Sequence, residues 1–165
     1  MTLDRLDLMI LSELAKNARQ SQVELAERVG LSTTAVARRQ KALEDSGVIK
    51  AYHVVLDMGL FGYAITVLVR IALDSQSDEA LKSFEAGVAK CPSITSCFLM
   101  SGTDDYLAIV LAKDIQDFER IHRTELSRLP RVARIQSSFA IREIVHRPAP
   151  LVVFESVARS KPKRR

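Results

Sequence analysis

The stretch from Gln22 to Leu43 constrains the fold of this chain more than any other. It is typical of two short helices joined by a tight turn. Gly30 ends the first helix because a left-handed residue is needed there and glycine adopts that conformation at low cost. Ser32 is a good N-cap for the second helix. This spacing predicts a helix-turn-helix, whose second helix lies in the major groove of DNA.

The exposed face of that second helix carries hydroxyl groups and cations, and no carboxylate precedes Glu44 on it. Hydroxyls and backbone N–H groups at a helix N-terminus suit phosphates and base edges, and an arginine can donate two hydrogen bonds to one guanine. The alternative is a merely solvated helix face, which the preceding turn makes less favoured. Double-stranded DNA is therefore a predicted partner. The predicted DNA-contacting residues are Ser32, Thr33, Thr34, Arg38, Arg39 and Lys41.

The net charge of the whole chain, +4, is a weaker indication of DNA binding than this helix. Five of the 24 basic residues lie among the last seven positions, and without them 19 basic residues face 20 acidic ones. The useful signal is therefore the local cluster on the second helix. We place a basic tail at residues 154–165, and we expect its end, Lys161–Arg165, to be a disordered segment that aids solubility rather than an arm that binds DNA.

Composition argues against several other classes of protein. No apolar run approaches the roughly 20 residues that a membrane-spanning helix needs, and the early acids of MTLDRLDLM do not suit a secretory signal. Cys91 and Cys97 match no zinc or thioredoxin spacing and are expected to be small apolar filler. We therefore expect a cytoplasmic protein with no membrane partner, no metal and no cofactor.

Periodicity divides the chain into two domains. The first, 1–57, contains a helix over Leu3–Asn17, the two helices described above, and a strand over Ala51–Leu56. Three helices followed by an extended segment predict a winged helix-turn-helix domain. Two glycines within Met58–Gly62 indicate a hinge, which we place at 58–63.

The second domain, 64–153, alternates strand and helix patterns in the order β-α-β-β-α-β. That order predicts a ferredoxin-like domain with an antiparallel sheet and both helices on one face, so the fold class is α+β. The other face would expose Phe98, Met100 and Phe139, and a second copy of the same sheet would cover it in a homodimer. The predicted strands are Ala64–Leu73, Ile94–Met100, Tyr106–Ala112 and Arg134–Val145, and the predicted helices are Asp78–Lys90 and Asp114–Leu129.

A series of segments resembles the Lrp/AsnC (leucine-responsive/asparagine-regulator) family of transcriptional regulators. The segments occur in order and at matching separations over residues 3–153, which makes the series far more specific than any one motif in it. They are LDRLDLMILSELAKNAR, VELAERVGLS and ALEDSGVIKAY in the first domain, and SGTDDYLAIV, LSRLPRV and SSFAIREI in the second.

The resemblance implies a DNA-binding first domain and a second domain for effector binding and assembly. It implies dimers that can assemble further, to tetramers or octamers. It also implies small effectors, usually amino acids, bound between second domains beside a Gly-x-x-Asp loop, here Gly102–Asp105. The residues implied for the effector site are Leu99, Ser101, Gly102, Thr103, Asp104, Asp105, Ile115, Phe139, Ala140 and Ile141.

The chemistry of these residues suits an amino acid without identifying one. Asp105 could bind the ammonium group, the Gly102 region the carboxylate, and Leu99 or Phe139 the side chain. Residue chemistry alone favours another role for Asp105, as a cap of its own turn, because turn-capping aspartates are common. The resemblance favours the effector site.

Two positions depart from the family pattern. Gln40 stands where an apolar core residue is usual, and it could instead reach solvent or form a hydrogen bond with Glu44, its i+4 neighbour. Arg131 stands where the family favours glycine, which could alter the turn into the last strand.

These observations favour a sequence-specific transcriptional regulator whose DNA binding or assembly responds to a small effector, expected to be an amino acid. The alternative is an architectural DNA-wrapping protein with little or no effector response. An enzyme is not expected. Asp104, Asp105 and His122 could be imagined as an acid–base set, yet the sequence has nothing to fix them together and no nucleophile elbow, phosphate loop or metal cluster.

Overall fold

The computed structural model describes residues 2–147 and 149–154. Internal contacts of these residues define two units, one formed by residues 2–55 together with 145–147 and 149–154, and the other by Leu56–Ile144. Residues 145–147 and 149–153, which the sequence placed in the second domain, therefore group with the first unit. The predicted tail, apart from Phe154, lies outside the described residues.

Three helices build the first unit: α1 (Arg5–Lys16), α2 (Gln22–Val29) and α3 (Thr33–Asp45). Each begins at an N-cap, Asp4, Ser21 or Ser32, whose side chain accepts a hydrogen bond from a backbone N–H of the first turn. α2 ends at Gly30, whose φ of 74° is the left-handed conformation that the turn requires. The helix-turn-helix thus forms as predicted, around a core of Ile10, Leu14, Leu25, Ala26, Val29, Val36 and Leu43.

The strand predicted over Ala51–Leu56 is wrong for the single chain. Residues 51–57 have no regular secondary structure, and the side chains of Val54 and Val55 are exposed. A strand needs a neighbour to pair its backbone N–H and C=O groups, and none of the four described strands pairs with this segment. Within the predicted hinge, Met58–Phe61 forms a short 3-10 helix that ends at Gly62.

The second unit is an antiparallel four-stranded sheet with the strand order β2-β3-β1-β4, as expected for a ferredoxin-like domain. Its elements are β1 (Ile65–Leu73), α4 (Asp78–Val88), β2 (Ile94–Leu99), β3 (Tyr106–Ala112), α5 (Ile115–Thr124) and β4 (Val132–Phe139). Phe84 of α4 and Ile121 of α5 pack in one core with alternate residues of β1, such as Val69. Both helices therefore lie on one face.

The last strand is shorter than predicted, and Phe139 faces the helices. β4 ends at Phe139 instead of Val145. Its only neighbour in the described sheet is β1, which begins at Ile65 and therefore has few residues left to pair with β4 beyond the Phe139–Val67 pair. The Phe139 ring lies 5.3 Å from the ring of Phe118 on α5. The prediction that Phe139 adds to the helix-free face is therefore wrong. That face, called the open face below, carries Leu68, Phe98, Met100, Leu107 and Ile109.

Arg131 adopts the left-handed conformation that the resemblance associates with glycine, with a φ of 66°. This conformation costs a residue with a side chain about 1–2 kcal/mol. Two contacts to Asp74 hold the turn: the Arg131 carbonyl accepts a hydrogen bond from the Asp74 N–H at 2.9 Å, and Arg131 Nε lies 3.0 Å from Asp74 Oδ1. The turn into β4 is therefore kept despite the substitution.

Candidate DNA interface and effector site

The first two turns of α3 present an exposed surface. Thr33, Thr34, Ala37 and Arg38 are all exposed. Ser32 Oγ accepts a hydrogen bond from the N–H of Ala35 at 3.2 Å and so caps the helix beside them. Within the described residues, no ion pair holds the Arg38 guanidinium. This surface can therefore offer hydroxyls and a free cation to a ligand.

Arg39, predicted to contact DNA, is held inside the unit. Its Nη1 lies 2.7 Å from Asp4 Oδ2 and 2.8 Å from Asp7 Oδ1, and the Asp7 side chain is only 6% exposed. These carboxylates raise the pKa of the Arg39 guanidinium, the hydrogen bond to Asp7 contributing most. Arg39 therefore ties α3 to the start of α1, and its contact with DNA stays a prediction.

Lys41 is held only loosely. Its Nζ lies 3.1 Å from Asp45 Oδ1, and both side chains are well exposed. Exposed pairs of this kind contribute little to stability, so a phosphate could replace the aspartate.

Gln40 is committed to a hydrogen-bond network within the unit. Its Nε2 donates to Glu44 Oε1 at 3.1 Å and to the Tyr52 hydroxyl at 2.8 Å, while its Oε1 accepts from Gln22 Nε2 at 2.7 Å. The predicted bond between Gln40 and Glu44 is therefore present. It explains how a polar residue is accommodated at this position of α3.

On the second unit, the loop between β2 and β3 borders a small cavity of about 190 Å³. Ser101, Thr103 and Asp104, all in the predicted effector set, line it. Asp104 Oδ1 accepts a hydrogen bond from Arg134 Nη2 at 2.9 Å, which fixes the loop against β4. The remaining lining residues are Arg70, Met100, Tyr106 and Leu107.

Asp105 turns away from this cavity and caps the end of the sheet. Its Oδ2 accepts a hydrogen bond from the N–H of Leu73 at 2.7 Å, and its Oδ1 accepts one from Gln76 Nε2 at 2.8 Å. The residue is 9% exposed. In the single chain, Asp105 thus has the structural role that residue chemistry alone favoured, and its carboxylate is not presented to a ligand.

The predicted effector residues form two separate groups in one chain. Phe139 pairs with Val67 near the start of β1, whereas the N–H of Asp105 donates to the carbonyl of Ile71 near its end. At about 3.3 Å per residue these positions are roughly 13 Å apart along the strand. Ala140 and Ile141 follow Phe139 in the chain, and Ile115 begins α5, the helix whose Phe118 contacts the Phe139 ring. Leu99 and 101–105 form the group at the loop.

Four residues that line the cavity were not among the predicted effector residues. Met100, Tyr106 and Leu107 were assigned only to apolar strands, and Arg70 was not singled out at all. A signal for Arg70 was present, because it is the one charged residue in the apolar run AITVLVRIAL. Successive side chains of a strand point to opposite faces, so a charged residue within an apolar run indicates which face lies outside the core.

The imagined acid–base set is not assembled. His122 lies on α5, where its Nδ1 is 3.2 Å from Ser127 Oγ and its ring packs near Phe118, while Asp104 faces the cavity on the open face. In the described residues, no group of three or more His, Cys, Asp or Glu side chains is placed to hold a metal ion. No helix in the described part of the chain has the length and apolar character needed to cross a bilayer.

Known proteins resemble both units. Residues 3–50 match a family model for winged helix-turn-helix DNA-binding domains, and residues 66–150 match the Lrp/AsnC ligand binding domain. The Bkd operon transcriptional regulator of Pseudomonas aeruginosa is 38% identical over 148 residues, covering 90% of this chain and 97% of that protein. The leucine-responsive regulatory protein of Rhizobium meliloti is 34% identical over 142 residues, covering 86% and 91%.

A solved structure agrees with these relatives. A transcriptional regulator of Neisseria meningitidis, crystallised as a complex with L-methionine, superimposes with a TM-score of 0.86 and 35% identity, covering 91% of this chain and 97% of that one. The fold and the matches define a DNA-binding transcriptional regulator with a ligand-binding domain, and not an enzyme. The chain belongs to the Lrp/AsnC family.

Proposed function

We propose that this regulator recognises specific DNA sequences through α3 and that a free amino acid changes its DNA affinity or its assembly. The observation that carries the first part is the exposed, acid-free surface at the start of α3, beside an Arg39 that is already paired inside the unit. The second part is supported by the Lrp/AsnC ligand binding domain, by the L-methionine complex of the Neisseria regulator, and by the cavity at the loop.

Within the DNA interface the residues have different tasks. The N-terminal residues of a recognition helix lie nearest the base edges, so Thr33, Thr34 and Arg38 are the candidates for base contacts. Ser32, at the N-cap, and Lys41, at the surface, suit phosphate groups. Recognition by one helix covers one half-site, and a dimer would read two half-sites a helical turn or more apart.

A homodimer joined through the open face is the proposed DNA-binding form, and tetramers or octamers are its proposed assemblies. The apolar side chains of the open face favour burial against a second copy. Further assembly would also explain the two groups of predicted effector residues, because a neighbouring copy could place Ile115, Phe139 and Ile141 against the loop of the first. An amino acid bound there would stabilise one assembly over another.

The DNA part is tested by selecting a preferred DNA site from a random pool and measuring its affinity by fluorescence anisotropy. Arg38→Ala should weaken binding to that site by roughly 1–3 kcal/mol if Arg38 reads a base, and should relax sequence preference there. Arg123→Ala, which removes the same charge from the exposed surface of α5, is the matched control and should leave the affinity unchanged. Unchanged affinity in Arg38→Ala would remove Arg38 from the interface.

The effector part is tested by repeating the measurement with each of the twenty amino acids and by following thermal unfolding in parallel. A ligand at 100 times its dissociation constant stabilises the protein by about 2.7 kcal/mol, which gives a clear shift. One or a few amino acids should raise the unfolding temperature and change DNA affinity or oligomeric size. No effect from any of them, together with broad footprints on unrelated DNA, would favour the architectural alternative.

A further inference from the structure

A half-buried amide joins α3 to two other parts of the first unit. Gln40 lies on α3, yet it is bonded to Gln22, 18 positions earlier at the start of α2, and to Tyr52, 12 positions later in the segment after α3. Within α3, Gln40 also donates to Glu44, and the Tyr52 hydroxyl donates to the same carboxylate at 2.7 Å. These side chains therefore form one connected network.

The Gln40 amide uses both of its donors and its carbonyl oxygen in this network. A primary amide has two N–H donors and one carbonyl acceptor. Nε2 donates at 2.8 Å to Tyr52 and at 3.1 Å to Glu44, and Oε1 accepts from Gln22 at 2.7 Å. Since both N–H groups are engaged inside the unit, Gln40 is not placed to donate to a DNA base.

Tyr52 connects the network to the chain that leads out of the first unit. Desolvation, and next the hydrogen bond to Glu44, raises the pKa of the Tyr52 hydroxyl above its ordinary value. The hydroxyl therefore stays protonated at neutral pH and remains a donor. Three positions further on the chain reaches Val55, and the second unit begins at Leu56. The network thus ties α3 to the segment that runs into the second unit.

These hydrogen bonds specify an orientation of α3 that apolar packing alone does not. Burial of Val36 and Leu43 holds α3 against the other helices, but the hydrophobic effect is non-directional. A hydrogen bond weakens steeply as its angle departs from linear. Arg39 supplies directed contacts to the start of α1, and Gln40 supplies them to α2 and to Tyr52. Polar contacts therefore fix α3 from three parts of the unit.

We propose that Gln40 is a positioning residue for DNA recognition, because its amide holds α3 in the orientation in which Arg38 meets a base. This inference rests on the proposed recognition of DNA by α3. A binding site has to be held within roughly 0.5 Å and 10–20° of its productive geometry. Contacts to bases need this precision, whereas contacts to phosphates carry no sequence information. Loss of the network should therefore weaken specific binding and leave non-specific binding unchanged.

The main test removes the amide without leaving its partner unsatisfied. Gln22→Met combined with Gln40→Met replaces the bonded pair by apolar chains of similar length, a change that can be nearly neutral for stability. We expect the urea midpoint of this double variant to equal that of the wild type. Its affinity for the selected DNA site should fall by about ten- to a hundredfold. Its affinity for a scrambled duplex at the same salt concentration should stay unchanged.

Tyr52→Phe tests the other arm of the network. It should lower the affinity for the selected site less than the double variant does, because α3 keeps its bond to Gln22. Combined with Gln40→Met, its loss should be smaller than the sum of the two separate losses, since both changes remove the same hydrogen bond. Gln116→Met makes the same chemical change on the exposed surface of α5 and should bind DNA as the wild type does.

The outcomes separate this inference from the proposed function. A wild type that does not prefer the selected site to the scrambled duplex would overturn both. A preference that survives in the double variant would overturn the inference alone, as would an equal loss of affinity for both duplexes. Full preference in Tyr52→Phe with none in Gln40→Met would also overturn it, because Gln40 would then act on DNA directly. If the double variant does not fold, Tyr52→Phe decides, and an unchanged preference overturns the inference.

Discussion

Neighbouring arginines on α3 have different roles because successive residues of a helix point about 100° apart. Arg38 faces solvent and is unpaired within the described residues, whereas Arg39 reaches Asp4 and Asp7 at the start of α1. The nearly buried Asp7 carboxylate needs a partner, since an unpaired charge away from water is costly. Arg39 thus orients the helix that carries Arg38.

Arg39→Ala should lower the free energy of unfolding by about 1–3 kcal/mol, because among the described residues it leaves the Asp7 carboxylate with the bond from the N–H of Asp4 alone. Urea unfolding measures this loss. Adding Asp7→Asn should recover part of it, since the buried charge is then removed. A variant that keeps its stability but shows a weaker salt dependence of DNA binding would instead place Arg39 at a phosphate.

In the second unit, the carboxylates of Asp114 and Asp117 hold the N-terminal end of α5. α5 begins after Asp114, whose Oδ1 accepts a hydrogen bond from the N–H of Asp117 at 2.7 Å. Asp117 in turn accepts one from the N–H of Lys113 at 3.0 Å and pairs with Arg120 at 2.7 Å. The pKa of Asp117 is therefore below the ordinary value, chiefly because of the Lys113 N–H and next because of Arg120. This reciprocal cap fixes the end of α5 that carries Ile115.

Because the pKa of Asp117 is lower in the folded state than in the unfolded chain, its contribution to stability is present above the unfolded value of about 3.9. That contribution is lost as the pH falls through the lower, folded value. Asp117→Asn should therefore be less stable than the wild type at pH 7, and the difference should shrink on acidification below pH 4. Urea midpoints measured from pH 7 to pH 2 check this. Glu119→Gln, an exposed change on α5, is the control, and a difference for Asp117→Asn that does not vary with pH would contradict the argument.

At the scale of the whole molecule, a single chain leaves the apolar side chains of the open face outside its hydrophobic core. Phe98 and Met100 are 51% and 44% exposed there, beside the apolar side chains of β1 and β3. A large exposed apolar patch marks a surface for association. The proposed dimer would bury this patch and would also place a second copy beside the cavity of Arg70 and Asp104, so that ligand and assembly could affect each other.

Phe98→Asp should convert the proposed dimer into monomers, because association would then bury a carboxylate within an apolar interface. Light scattering after size-exclusion chromatography measures the mass, and circular dichroism checks that the unit remains folded. DNA affinity should fall as well, since paired recognition helices no longer act together. Leu60→Asp, at a residue 84% exposed in the short 3-10 helix, is the matched control. An unchanged mass for Phe98→Asp would show that copies associate through another surface.

The sequence alone determined the helix-turn-helix, because its signals act over a few residues. Ser21 and Ser32 cap the helices that follow them, and Gly30 supplies the left-handed residue of the turn. The alternation of apolar residues likewise determined the β-α-β-β-α-β order and the inward face of β1. Strand ends were less well predicted, because a strand such as 51–56 or the end of β4 exists only where a neighbour completes its hydrogen bonds.

Only the tertiary structure decided which polar side chains are free to act. Arg39 meets Asp7 from 32 positions away, and Asp105 meets Leu73 across the same separation. Local spacing cannot distinguish these residues from Arg38 and Asp104, which are of the same types and adjacent in the chain. The physical reason is that a charge near the core is satisfied by whichever distant group the fold brings within hydrogen-bond range, and the side chains left over are the ones that can bind DNA or a ligand.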